Sequence, residues 1–291
     1  MNAAALAYRF RVVIFVALYL LGFLPPWGGN IRGGSDGTLW LATSTLSARS
    51  GWISLAAATL TVTLISLACL AMGAMLRVWG TAYLGSSVMR GAVMKGEQLV
   101  AAGPYRYVRN PLYLGAWLLA CGASILMPPS GAAFFLPAFS MFVLFLISQE
   151  ERFLSLRLGE VYQQYRRRVP RLLPRLEQFR NYCGLIKIAR WGFPWKKTTK
   201  RPAASVYTDC ETALEPQPGA GDVISPARPH WLQALVAETY PIAFTLCFAI
   251  FAWRYNARIL IQCLLICYGC SLVIRAFIKA PIAPANAGAG A

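Results

Sequence analysis

The stretch GPYRYVRNPLYLG, Gly103 to Gly115, sets Arg106, Arg109, Asn110 and the tyrosines 105, 107 and 113 directly ahead of an apolar run. A second polar set, Gln149, Glu150 and Glu151, closes the apolar run that follows. Arginine forks onto carboxylates, an asparagine amide donates, and tyrosine faces attract cations. Two neighbouring carboxylates repel each other unless a cation stands close, so Glu150 and Glu151 mark a place for a ligand's cation or a protein arginine. Ionisable groups near membrane depth are costly and are functional candidates by default. The bland alternative is that arginines neutralise the glutamates and pin the chain at an interface.

Apolar runs position these groups. The chain has 291 residues, 57% hydrophobic and 13% charged, with a mean hydropathy of +0.50, which places it among membrane proteins. Trp52 to Leu76 is an uncharged run long enough to cross a bilayer. Further spans are expected at Phe10 to Pro25, Leu112 to Met127, Ala132 to Ser148, Leu235 to Trp253 and Ile259 to Ile278, about six in all. Pro25, Pro26 and Trp27 do not form a small-residue cleavage site, so the first run reads as an anchor.

MPPSG, Met127 to Gly131, is a turn signal that folds the spans from Leu112 and Ala132 into a hairpin, residues 112–148. The hairpin brings the arginine-asparagine-tyrosine set and the glutamates to one end. Beyond it, ERFLSLRLGEVYQQYRRRVPRLLP alternates apolar and charged residues at helical spacing, an interfacial amphipathic helix over 150–174. Residues 1–180 then form the membrane core, 181–230 a basic segment and proline-rich linker, and 231–291 a C-terminal transmembrane hairpin. Pro25 to Gly51 reads as a loop on the opposite face.

The net charge of +17 is concentrated: Arg152 to Arg201 holds fourteen Lys or Arg against Glu160 and Glu177, directly after a span. That position satisfies the positive-inside rule and suits anionic lipid headgroups, with no nucleic-acid motif beside it. Both termini and the polar mouth of the hairpin are therefore expected on the cytoplasmic side. Of eight cysteines, six fall in apolar runs and behave as small hydrophobes, and His230 is the one histidine, so neither disulfides nor a metal site is expected.

A ligand matched to the whole polar set offers a carboxylate to Arg109 or Asn110, an ammonium to Glu150 and a cation to the tyrosines. S-adenosylmethionine offers all three. The glycine-rich turn of dinucleotide folds is absent, so a Rossmann-type site is not expected.

The ordered blocks GEQLVAAGPYRYVRNPLYLG, EE and LGEVYQQYRRRVPRLLP resemble the isoprenylcysteine carboxyl methyltransferase and phospholipid methyltransferase family of integral membrane enzymes. The resemblance covers roughly residues 70–174 and implies an all-α transmembrane bundle whose cytoplasmic-side S-adenosylmethionine pocket is closed by the interfacial helix. It implies that Glu97, Gln98, Leu99, Val100, Tyr105, Asn110, Pro111, Leu112 and Tyr113 line the cofactor, and that Glu150 holds its amine. Asn110 stands where many relatives have histidine, and Leu146 where the prenylcysteine enzymes have an arginine associated with the substrate carboxylate. Arg157, two helical turns after Glu150, is the candidate replacement. Arg109, Glu150, Glu151 and Arg157 thus form the expected catalytic set.

The expected reaction is methyl transfer to a lipophilic membrane acceptor, a small molecule or lipidated chain, with carboxyl O-methylation of an isoprenoid-type or prenylcysteine-like acceptor preferred. A carboxylate is already ionised and needs no base. The alternatives are phospholipid N-methylation, a sterol-reductase-like nicotinamide enzyme, and a non-enzymatic membrane scaffold.

Overall fold

The computed structural model describes residues 10–23, 37–51, 53–84, 99–174 and 229–254. These residues form seven α-helices and a short 3-10 turn, without a β-sheet. In chain order the helices are α1 (Arg11–Phe23), α2 (Leu39–Arg49), α3 (Leu55–Leu84), α4 (Pro111–Ser124), α5 (Pro129–Arg168), α6 (Trp231–Ala237) and α7 (Thr239–Arg254), with the 3-10 turn at Gly103–Arg106.

Among the described residues α3 and α5 are long and apolar enough to cross a membrane, and α6 with α7, bent by 66°, count as a third if taken as one broken span. The helices α1 and α4 are apolar but shorter. At 1.5 Å per residue the 14 residues of α4 reach only about 21 Å. The expectation of membrane-crossing helices is met among the described residues, and the expected span Ile259 to Ile278 lies outside them.

Two expected boundaries shift. The Pro25–Gly51 loop contains α2, started by the Thr38 hydroxyl accepting from Leu41 N–H. Its first N–H groups, Leu39 and Trp40, donate to the carbonyls of Met127 and Ile125 at 2.7 and 2.9 Å, so α2 caps the turn of the 112–148 hairpin. The interfacial helix does not begin at residue 150: α5 runs on through Glu150 and Glu151 and turns at Gly159, where φ is 55°. Glycine alone enters that region without penalty. The helix then ends at Arg168, with Val169 as its C-cap.

Glycines set the spacing of α3 and α4. A Cβ on Gly115 would stand 2.8 Å from the Gly73 carbonyl oxygen and 2.7 Å from Arg77 Cγ, and one on Gly122 2.6 Å from Leu70 Cγ. The two backbones therefore touch, in the small-residue manner of membrane helix pairs. Ser66 Oγ donates to the Gly122 carbonyl at 2.6 Å across the same contact. Pro111 and Pro129 occupy the first turns of α4 and α5, where a missing N–H costs nothing. On the other side of the hairpin, Phe15 and Tyr19 of α1 pack on Phe135, Phe139 and Phe142. Helix α7 joins the same bundle, with Phe248 fully buried beside Leu70 and Leu119.

Candidate active site

The hairpin mouth and the VPRLLP tail are tied to each other by main-chain and side-chain bonds. Arg109 N–H donates to the Pro170 carbonyl at 2.9 Å, and the Tyr165 hydroxyl to the Tyr105 carbonyl at 2.7 Å. Beneath this strap Tyr162, Tyr165, Val169 and Leu99 form a small apolar cluster of their own. The blocks that were separate in sequence therefore make one structural unit at one end of α4 and α5.

The two glutamates part company there. Glu151, buried with 8% of its side chain exposed, takes Arg109 Nε at 3.1 Å and Asn110 Nδ2 at 3.2 Å on one oxygen and Arg171 Nε at 3.3 Å on the other. The Arg171 contact is an ion pair by distance without hydrogen-bond alignment, its Nε having no aligned acceptor. Arg109 Nη1 donates to the Arg166 carbonyl at 2.7 Å and Asn110 Nδ2 also to the Arg171 carbonyl at 3.2 Å. Arg171 further donates to Ser148 Oγ at 2.9 Å. Arg109 and Asn110 thus divide their donors between Glu151 and the carbonyls of Arg166 and Arg171, and tie the mouth to the tail. Glu150, half-buried, instead receives the Tyr113 hydroxyl at 2.7 Å.

Tyr105 is 7% exposed, and its buried hydroxyl has no hydrogen-bond partner among the described residues. Burial holds this hydroxyl well above the ordinary tyrosine pKa; Tyr165, Glu150 and Glu238 add to the effect and Arg77 opposes it. A buried polar atom without a partner costs roughly 1–3 kcal/mol.

The remaining expected residues fall into place unequally. Leu99 is buried against Tyr162 and Tyr165, Val100 is half-buried, Pro111 is buried at the start of α4, and Leu112 packs on Gly80 of α3. Glu97 and Gln98 lie outside the described residues. Arg157 is exposed and Leu146 is fully buried. His230 is exposed, and its backbone N–H donates to the Ala82 carbonyl, which places it near the same end of α3. Sequence reading passed over Arg171 and Tyr165 of the strap and, more distant in the chain, Arg77, Thr81 and Glu238. Arg77 in an apolar helix was the one available signal for the last group. Among the described residues no three His, Cys, Asp or Glu side chains stand together as metal ligands would.

Residues 61–161 match the family model of phospholipid methyltransferase. The match covers about a third of the chain. Over 87 residues, 30% of this chain and 33% of the relative, the sequence is 41% identical to a methanethiol S-methyltransferase 2 of Bradyrhizobium diazoefficiens. It is 39% identical over 70 residues, 24% of the chain and 27% of the relative, to a methanethiol S-methyltransferase of Crocosphaera subtropica. A nickel-cobalt-cadmium resistance protein of Alcaligenes xylosoxydans xylosoxydans shares 31% identity over 131 residues, 45% of this chain and 55% of that protein. The chain thus spans between about a quarter and about half of the length of these relatives. No solved structure matches it. The matched residues contain α4, the turn at Gly103–Arg106, both glutamates and most of α3 and α5. The Arg171 end of the strap and the Glu238 segment lie beyond them.

Proposed function

We propose that this chain is an S-adenosylmethionine-dependent methyltransferase of the membrane, with its site at the hairpin mouth, on the cytoplasmic side. The observation that carries the reading is the division of labour between the glutamates. Glu151 is consumed by Arg109, Asn110 and Arg171, so Glu150, with the Tyr113 hydroxyl on it, is the carboxylate that faces a ligand's ammonium. The aromatic faces of Tyr105 and Tyr113 suit a second cation, the sulfonium. The set therefore fits the two cationic groups of the cofactor.

When bound, S-adenosylmethionine supplies an electrophilic methyl on a sulfonium. The protein's task is to fix that end through Glu150 and Tyr113 and to admit an acceptor in line with it, so positioning carries most of the rate. The strap of Tyr165, Arg109 and Asn110 holds the lining in one geometry and excludes water from it. No buried histidine stands in the cluster, and an acceptor that is already an anion needs no base. This favours a carboxylate on an isoprenoid-type or prenylcysteine-like chain, which stays in the bilayer while its anion reaches the interface.

A second reading, S-methylation of a thiol, is favoured by the names of two relatives. Both readings share the Glu150 site and differ in product. Purified protein with methyl-labelled S-adenosylmethionine and native lipid extract should give a labelled product that releases volatile methanol in mild base. Label that resists base as a thioether supports thiol methylation, and label retained in an amine supports phospholipid N-methylation. No transfer, together with no binding of S-adenosylhomocysteine, refutes the methyltransferase reading.

A further inference from the structure

A buried ion pair joins Arg77, within the matched residues 61–161, to Glu238, beyond them. Glu238, fully buried, sits at the 66° break between α6 and α7. Its two carboxylate oxygens accept from Arg77 Nε at 2.7 Å and Nη2 at 3.0 Å, and one of them from Thr81 Oγ1 at 2.8 Å. The Tyr240 ring lies 5.4 Å from the Arg77 guanidinium carbon. Arg77 reaches this position over Gly115, where any larger residue would displace its side chain.

A latch between α3 and the C-terminal segment would explain an ion pair, and such pairs are often replaceable by apolar residues at no cost in stability. It does not explain two further features. Glu238 takes the Nε–Nη2 edge of the guanidinium, and among the described residues nothing accepts from Nη1. The Tyr105 hydroxyl, buried and without a partner among the described residues, stands on the 3-10 turn that packs on the Arg77 end of α3, where the Tyr107 and Trp79 ring centroids are 6.1 Å apart. A guanidinium whose first edge is held by one carboxylate presents its second edge in a fixed plane, ready for another anion.

We propose that the C-terminal segment completes the site: Glu238 fixes Arg77 so that the second edge of its guanidinium, together with the Tyr105 hydroxyl, receives the anionic end of the methyl acceptor. This rests on the methyl-transfer reading above and adds to it the charge of the acceptor and the element that selects it. The anion, carboxylate or thiolate, gives a lone pair to the methyl carbon, the carbon–sulfur bond breaks, and its electrons go to sulfur as the neutral thioether leaves. No proton moves. Glu150 serves the cofactor and Arg77 the acceptor, with Tyr105 between them.

Two variants of the full chain test this. Arg77→Lys keeps the charge and one contact to Glu238 but loses the fork. Arg77→Gln with Glu238→Gln removes both charges at once, so that no buried charge is left alone. Each is assayed for transfer from labelled S-adenosylmethionine to native lipid extract, and for S-adenosylhomocysteine affinity by calorimetry. The expected result is a rise of roughly ten- to a hundred-fold in the extract needed for half-maximal rate, the range of a lost charge-assisted bond, with cofactor affinity changed less than about twofold. Unchanged half-saturation in both variants shows the pair to be a latch and overturns the proposal. Cofactor affinity lost to the same extent as acceptor affinity overturns the acceptor assignment. If the double variant does not fold, Arg77→Lys alone decides. A wild-type protein that binds no S-adenosylhomocysteine refutes the underlying reading, and the proposal with it.

Discussion

Replacing either of two adjacent glutamates by alanine should produce opposite phenotypes. In Glu151→Ala, Arg109 loses its carboxylate while 9% exposed, and an uncompensated buried charge costs about 3–5 kcal/mol. Arg171, 40% exposed, turns to water and adds at most about 1 kcal/mol. Asn110 keeps the Arg171 carbonyl and Arg109 keeps the Arg166 carbonyl, which limits the damage to the strap. Glu150→Ala removes a half-buried carboxylate with the Tyr113 hydroxyl bonded to it, a loss of about 1 kcal/mol. The difference in stability between the variants is therefore roughly 2–4 kcal/mol, with Glu151→Ala the weaker. Unfolding by SDS in mixed micelles, followed by tryptophan fluorescence, measures it, and calorimetry with S-adenosylhomocysteine measures the site. Glu150→Ala should unfold close to wild type and bind nothing; Glu151→Ala should unfold early and keep binding while it is folded. If Glu150→Ala were the less stable of the two, or if only Glu151→Ala lost the ligand, the division of roles between the glutamates would be refuted.

Tyr105→Phe should stabilise the ligand-free protein by roughly 1–3 kcal/mol, because it removes a buried hydroxyl without a partner, and should weaken ligand binding, a reversal of sign that unfolding and calorimetry detect together. The same hydroxyl is held well above its ordinary value, so its contribution to stability through proton binding is complete below about pH 10 and is lost only as the pH rises through the folded value. Ionisation followed at 295 nm should accordingly show no difference between wild type and Tyr105→Phe near pH 10. Gly115→Ala should separate α3 from α4, since its Cβ would meet the Gly73 carbonyl and Arg77 Cγ, and cost on the order of 1–3 kcal/mol as an overpacked contact. A melting temperature equal to wild type would refute the close contact.

The polar residues of the mouth were legible in the sequence because chemistry of that kind has few other uses in an apolar chain. Arg109, Asn110, Tyr113, Glu150 and Glu151 are brought together, as the hairpin signalled by MPPSG requires. The helical class followed from the length of the apolar runs, since a backbone in lipid must satisfy its own hydrogen bonds. Which glutamate the strap takes up was not legible. Neighbours on a helix point about 100° apart, and only the packed tail, with Arg171 and the Arg166 carbonyl, decides that Glu151 turns into the strap and Glu150 away from it. The helix in Pro25–Gly51 escaped notice because its segment is polar and only the hairpin turn it caps gives it partners. Arg77 and Glu238 stand 161 residues apart, joined by no motif or spacing. Residue types and local periodicity determine the sites that lie within a few turns of one another, where chain geometry does the aligning. Pairs made across the bundle depend on which helix faces which, and that is settled by the glycine contacts of α3 with α4 and the docking of α7 on Leu70 and Leu119.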